Sequence, residues 1–536
     1  MAPTLAAADP YRTTFHFQPP PSTKHSVMND PNGIMRDART GLFHMFAQFR
    51  YTAANFTQPK PSGVGWLHAV SKDALAWTHL PMALRPDETW DCGGVYTGSA
   101  TFVDGAPVLA YSVECNEVIG LAVPVDASDP LLVEWRKPRY DPIVRHTPDY
   151  NFRDPVTAFR PEPAGDWRMA VGCSGHLCTY RSADFVSWRD AGRMYLVPGE
   201  HMWECPDVFQ LTSTHWVIKA SSAPFDEYVV GRFAPGANDS FVKVDGAADI
   251  GAAIGAGQLI DAGNVYASKT LYDPIGRRRI LFGWVHEEPG FPRAQNWQGL
   301  QTVPRVVSLD PRNDSRLLFR PIDEVASLRQ PRPSVLANHS LCAGCSVGLV
   351  DEGNGSSRLD VLLRLRAPRA VRGGGGTMGG GMNVTLGLLR NGAGTGVNVS
   401  LVGGGGRGEG DGGSSSEMRL LVNGTNTSAQ WASHACYDAN GATPATPFVY
   451  CACYPGCGAR YRLYADEEEL SLRVLLDVSV LEVFAQGGRA VATKRAYLPA
   501  GAVVLYNHGA DAVQVVSAEA YEMRAAEPVG VEALRR

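Results

Sequence analysis

"SKDALAWTHLP", residues 71–81, is the stretch on which the fold turns. Ser, Lys and Asp make good turn chemistry, a short apolar run leads to Trp77, and a strand-like segment follows. Two looser copies occur further on, "SDPLLVEWRKP" (128–138) and "SADFVSWRDAG" (182–192). Trp77, Trp135 and Trp188 therefore recur roughly 55 residues apart, close to the length of a four-stranded propeller blade.

Around these copies the chain is a succession of short β-type runs, among them "GLFHMFAQF", "VYTGSATFV", "WRMAVGC", "WVIKASS" and "RRILFGWV". Gly, Pro, Asp and Asn separate them, and no long segment keeps a helical period, so the fold class is all-β. Inner strands of a propeller would begin near residues 29, 95, 153, 205 and 264, at "NDPNGIM", "VYTGSATF", "RDPVTAF", "CPDVFQL" and "NVYASKT". That predicts a five-bladed β-propeller. Polar residues at those strand starts then meet in one central funnel, however distant in sequence.

"LRQPRPSV" (328–335) breaks the pattern with two prolines and reads as a linker. The expected organisation is an unstructured tail over 1–10, a propeller over 11–328, a linker over 329–335 and a β-sandwich over 336–536. "LSLRVLLDVSVLEVFAQ" and "AVVLYNHG" supply sandwich strands. "GGGGTMGGG" and "GGGGRGEGDGGSSS" carry too little apolar surface to fold and are expected to be unstructured loops.

At 536 residues the chain exceeds what one core sustains, in line with two domains. Its formal charge of −5 and scattered basic residues provide no field for nucleic acid. No run of about 18 apolar residues offers a membrane span. The N-terminus has neither the basic start nor the apolar centre of a signal peptide. A secretory route, to the cell exterior, cell wall or vacuole with a leader removed, is nevertheless expected. It rests on frequent Asn-x-Ser/Thr sequons, such as Asn313, Asn338, Asn354, Asn383 and Asn398, and on closely spaced cysteines.

Cys173 with Cys178, and Cys436, Cys451, Cys453 and Cys457 together, read as local disulfide staples; an odd total of eleven leaves one unpaired. "CAGC" (342–345) opens a zinc reading, but the irregular spacing of the later cysteines fits it poorly, and disulfides are preferred. Neither a metal nor an organic cofactor is implied, and the oligomeric state is not legible.

Three acids stand at the starts of proposed inner strands: Asp30 in "MNDPNG", Asp154 in "FRDP" and Glu204 in "WECPD". Singly, each is ordinary turn or ion-pair chemistry. With "FHFQPP", "GWLHAVS", "YTGSA", "YASKTLYD", "LFGWVHEE" and "GLQTVPRVVSLD" in this order, the chain resembles glycoside hydrolase family 32, the plant-type invertases, fructan exohydrolases and fructosyltransferases. The resemblance implies a propeller followed by a sandwich, and a sugar substrate. It assigns Asp30 as nucleophile, Glu204 as general acid/base and Asp154 as stabiliser of the oxocarbenium-like transition state. It places Asn29, Gln48, Trp66, Ser99 and Arg153 in a fructose pocket.

Retaining hydrolysis needs an ionised carboxylate under the anomeric carbon and a protonated one beside the leaving oxygen. Asp30 is expected to stay ionised among donors such as Asn29, and Glu204 to be pushed up by burial near Trp203 and by neighbouring negative charge. Cys205 is expected to be a free thiol beside the acid. The sequence also departs from the family pattern. Val27 stands where an aromatic residue is usual, Tyr96 replaces a common tryptophan, and Asn264 replaces the base that would hold Asp261, the residue expected to grip the glucose of sucrose. Cleavage of sucrose through a fructosyl–Asp30 intermediate is the leading expectation. Fructan hydrolysis or fructosyl transfer comes second, and an inactive carbohydrate-binding protein is the remote alternative.

Overall fold

The computed structural model describes residues 9–535 outside the segments 22–25, 52–62, 114–116, 146–150, 162–164, 198–201, 223–224, 237–238, 252–257, 288–296, 368–381, 391–395, 404–416 and 426–455. The two glycine-rich runs and Cys436, Cys451 and Cys453 lie outside the described residues, as does most of the predicted tail. Among the described residues strands dominate, and no helix is long and apolar enough to cross a membrane.

Five sheets, antiparallel except where Ser26–Pro31 pairs in parallel with Trp297–Gln298, follow one another between Ser26 and Pro321 and form the propeller, and two six-stranded sheets after Ser334 form the sandwich. The tryptophan repeat is a real structural unit. Trp77, Trp135 and Trp188 each donate the indole N–H to the carbonyl three residues earlier, on Ala74, Leu132 and Phe185, at 3.1, 2.8 and 3.1 Å. Those three residues all have left-handed backbone, with φ of 63°, 48° and 64°. Asp73, Asp129 and Asp184 accept from the backbone N–H groups just beyond, so each copy is an Asp-nucleated turn sealed by an indole.

Four of the predicted inner strands appear as ladders, at Ser26–Pro31, Gly98–Val103, Glu204–Gln210 and Val265–Asp273. The stretch around Arg153 differs and makes only isolated bridges, Arg153 to Gly172 and Phe159 to Arg168. Pro155 has no N–H to give and Asp154 sits at φ 68°, so a continuous ladder cannot form there.

The sandwich begins two residues earlier than expected, with Ser334–Leu341 pairing with Val513–Glu522. The sandwich strands expected over 470–486 are Glu469–Asp477 and Val480–Ala485, which pair as a hairpin. Cys342–Cys345 is a disulfide, and so is Cys173–Cys178.

The domains are not divided cleanly in sequence. Thr14, Phe15 and His16 give their backbone N–H groups to the Asp477 carboxylate of the sandwich. At the other end, Thr78 donates to the Val529 carbonyl, Lys72 to that of Ala533, and Leu534 packs with Leu42, Val70 and Leu131 of the propeller. Leu475, Phe484 and Val491 of the sandwich belong to the main propeller core, so one apolar cluster runs across the junction.

A buried charge network lies beside it. Arg305, 0% exposed, donates to Asp261 at 2.8 Å, to Glu482 at 2.6 and 3.0 Å and to Thr493 at 2.8 Å. His16 bridges Asp477 and Glu482 at 2.8 and 3.0 Å. Burial disfavours the imidazolium, but the two carboxylates outweigh it and hold the His16 pKa above its ordinary value.

Candidate active site

Three of the inner strands bend where they reach the funnel. Pairing registers shift between Met28 and Pro31, between Glu204 and Asp207, and between Tyr266 and Lys269, the mark of a β-bulge. Asp154, Cys205 and Ala267 have positive φ, at 68°, 44° and 54°. For non-glycine residues that backbone costs energy, and here it turns strand-end side chains toward a common point.

Asp30, Asp154 and Glu204 meet there, and Cys205 joins them. Its backbone N–H donates to Asp154 Oδ2 at 2.8 Å and its thiol reaches Asp30 Oδ2 at 3.4 Å, while Glu204 precedes it in the chain. Its carbonyl accepts from Lys219 Nζ at 3.0 Å, and the next carbonyl, of Pro206, accepts from Lys269 Nζ at 2.9 Å. Both lysines are 1% exposed, so two buried cations grip the acid-bearing bulge from behind. Cys205 is free and buried, as expected.

Thr97 Oγ1 donates to Asp30 Oδ2 at 2.5 Å. Asp154 is fixed through its own N–H, which donates to Ser112 Oγ at 2.7 Å, and Ser112 in turn donates to the Thr97 carbonyl at 2.7 Å. Arg153 Nη2 donates to Glu204 Oε1 at 2.8 Å, and Tyr266 donates to Glu204 Oε2 at 2.7 Å.

The electrostatics of Asp30 differ from expectation. Crowding by protein pushes the Asp30 carboxyl up to about 6; the Thr97 hydrogen bond pulls it down, and the charges of Asp154 and Glu204 add to the rise. Asn29 is not among its donors; it is buried with its side-chain oxygen unpartnered, and its carbonyl accepts from Gln301. Asp30 and Glu204 are both partly exposed, and Glu204, with 23% of its side chain open, is paired with Arg153. Trp203 turns away into the core, 0% exposed and packed against Tyr195.

Gln48 is buried, in contact with the Thr97 hydroxyl at 3.0 Å. Ser99 is 1% exposed with its hydroxyl unpartnered, and Tyr96 is partly exposed. Trp66 is 0% exposed, its indole N–H donating to the Tyr96 carbonyl at 2.9 Å. It packs with Phe46 and Tyr111 inside the first two sheets and presents no open indole face.

Asp261 and Asn264 are not brought to the funnel. Asp261 is 1% exposed, paired with Arg305 and accepting from the Thr493 N–H and hydroxyl; the Asn264 N–H donates to the Thr493 carbonyl. Both are spent on the sandwich strand Ala490–Arg495, which explains why Asp261 needs no basic neighbour at 264: Arg305, distant in sequence, supplies it. Reading the sequence alone missed Thr97, Ser112, Lys219, Tyr266 and Lys269. Tyr266 and Lys269 lie within the quoted "YASKTLYD", but as a strand with a lysine it carried no sign of pointing inward.

The family model for the glycosyl hydrolases family 32 N-terminal domain matches residues 16–321, and that for the family 32 C terminal matches residues 415–522. The chain is 35% identical to "Beta-fructofuranosidase 1" of Zea mays, over 91% of this chain and 74% of that protein. It is 31% identical to "Sucrose:sucrose 1-fructosyltransferase" of Festuca arundinacea, over 96% and 80%. Among solved structures it is similar to fructan 1-exohydrolase IIa from Cichorium intybus, with a TM-score of 0.78 and 27% identity over 97% of this chain and 99% of that one. With both family models matched in order, over a propeller and a sandwich, the chain belongs to glycoside hydrolase family 32 and is a glycosidase.

Proposed function

We propose that this protein releases fructose from the non-reducing β-fructofuranosyl end of sucrose or a fructan, with retention of configuration. The observation that carries the reading is the junction at Cys205, which ties Asp30 and Asp154 together beside Glu204. In the first step Asp30 attacks the anomeric carbon while Glu204 gives its proton to the leaving oxygen, and a fructosyl ester forms. In the second, Glu204 takes a proton from water, which displaces Asp30 from the same face. Asp154, held through Ser112 and Cys205, accepts hydrogen bonds from ring hydroxyls as positive charge develops on the sugar. Arg153 and Tyr266 keep the Glu204 carboxyl aimed during both transfers.

The residue expected to hold glucose, Asp261, is committed to Arg305, so the argument from sequence for sucrose over fructans loses its residue. Similarity to a protein named as a fructan exohydrolase and to one named as a fructosyltransferase favours the second reading, with another sugar as donor or acceptor. A secretory-route location is in keeping with the Cys173–Cys178 and Cys342–Cys345 disulfides, with exposed sequons at Asn313, Asn338 and Asn354, and with relatives named as vacuolar and cell wall isozymes.

Sucrose, inulin and levan assayed side by side, with the first-released anomer followed by NMR, test the reading. β-Fructofuranose is expected first; α-fructofuranose, or no fructose from any of the three, refutes it. Glu204→Ala is expected to lose most turnover and to regain part of it with azide, which attacks the fructosyl ester without a general base.

A further inference from the structure

Away from the funnel, a cavity of about 710 Å³ opens between the domains. One wall is the propeller turn from Asp310 to Leu317, and the other is the sandwich strand end Arg460–Tyr464 with Arg489. Its size is that of pockets which hold small molecules. Its charge is lopsided, with four arginines (316, 460, 462 and 489) against the carboxylates of Asp245 and Asp310.

The negative charge is partly used already. Asp310 accepts from the Tyr464 hydroxyl at 2.9 Å and lies 3.5 Å from the Arg489 guanidinium, which also pairs with Glu467 at 2.9 and 3.0 Å. Arg316 and Arg462, by contrast, form no ion pair among the described residues. Arg460 and Arg462 stand exposed on one face of their strand, while Tyr461 between them points the other way into the sandwich core. Strand Gly456–Arg462 is also an edge strand, and its Arg462 carbonyl already turns outward to accept from Arg489.

We propose that this cavity is a second binding site, for a sugar that carries an anionic oxygen group, either a phosphate ester or a uronate. Arg316 and Arg462 grip the anion with their guanidinium forks. Guanidinium suits both groups because each offers paired, planar or near-planar oxygens. A bare anion fills only a fraction of the volume, and the remainder fits a sugar ring with its hydroxyls.

Isothermal titration of the full-length protein with glucose 6-phosphate, glucuronate and neutral glucose tests this; none carries the fructosyl group that the funnel reads. At least one anionic sugar is expected to bind about tenfold or more tightly than glucose, and which one does so identifies the source. Its affinity is expected to fall steeply between about 50 and 500 mM salt. The double variant Arg316→Gln/Arg462→Gln is expected to lose at least about tenfold in affinity, with sucrose hydrolysis unchanged. No binding up to about 10 mM, equal binding of glucose, or undiminished binding in the double variant overturns the proposal. The salt titration on the unaltered protein keeps the test decisive if a variant fails to fold.

Discussion

Replacing Arg305 by methionine keeps length and apolar volume while removing a cation from the domain junction. Its guanidinium makes four hydrogen bonds, three to carboxylates, and both carboxylate partners are 0% exposed. Burial already pushes the Asp261 pKa up against the pull of Arg305, while Glu482, opposed by burial too, is held below its ordinary range by Arg305 and His16. Without the cation two charges stay buried with poor compensation, a change that costs about 3–5 kcal/mol in comparable pairs. In an unfolding equilibrium that is a factor of roughly 10²–10³·⁵.

The penalty has a pH signature. Carboxylates whose folded pKa is raised destabilise the fold above that pKa and cease to do so once protonated. Loss of Arg305 raises both acids, so the deficit of the variant is expected to be largest near neutrality and to shrink toward pH 5. Urea unfolding followed by tryptophan fluorescence at several pH values measures it. Adding Asp261→Asn to the variant is expected to restore part of the loss. A deficit under about 1 kcal/mol, or one of the same size at pH 5 and pH 7, refutes the reasoning.

Thr97→Val removes the bond that lowers the Asp30 pKa; because the first step needs Asp30 ionised, the acid limb of kcat/KM for sucrose is expected to move upward from about pH 6. Tyr266→Phe removes one of two hydrogen bonds holding Glu204 and is expected to lower kcat about tenfold with a smaller effect on KM, read from steady-state kinetics. A Cβ at Gly172 would lie 2.1 Å from the Trp203 carbonyl oxygen, so Gly172→Ala is expected to displace the segment leading to Glu204 and reduce both melting temperature and turnover. His16 contributes stability that is complete below about pH 6.5 and is lost as pH rises through its raised folded value, so His16→Gln is expected to flatten the alkaline fall of the melting temperature.

What the sequence made legible was whatever repeats or is local. The Asp-turn-Trp copies could be read because each completes its hydrogen bonds within a few residues. The three acids could be read because strand starts in a propeller share a destination. Asp261 was misread for the opposite reason: its partners Arg305 and Thr493 lie 44 and 232 residues away, and nothing near it in the chain announces them. Lys219 and Lys269 were invisible for a related reason. A lysine in a strand ordinarily signals solvent, and only the bulge at Cys205 and Pro206 explains why these two are inside.

The crossed chain ends bear on engineering. Residues 14–16 cap a carboxylate of the second domain, while residues 529–534 lie across the first. Grafting a relative's sandwich onto this propeller at the proline-rich joint would therefore sever two sets of contacts that the joint does not contain. A working chimaera has to exchange both tips together with the body each one rests on, and a purification tag at the C-terminus hangs from the catalytic half.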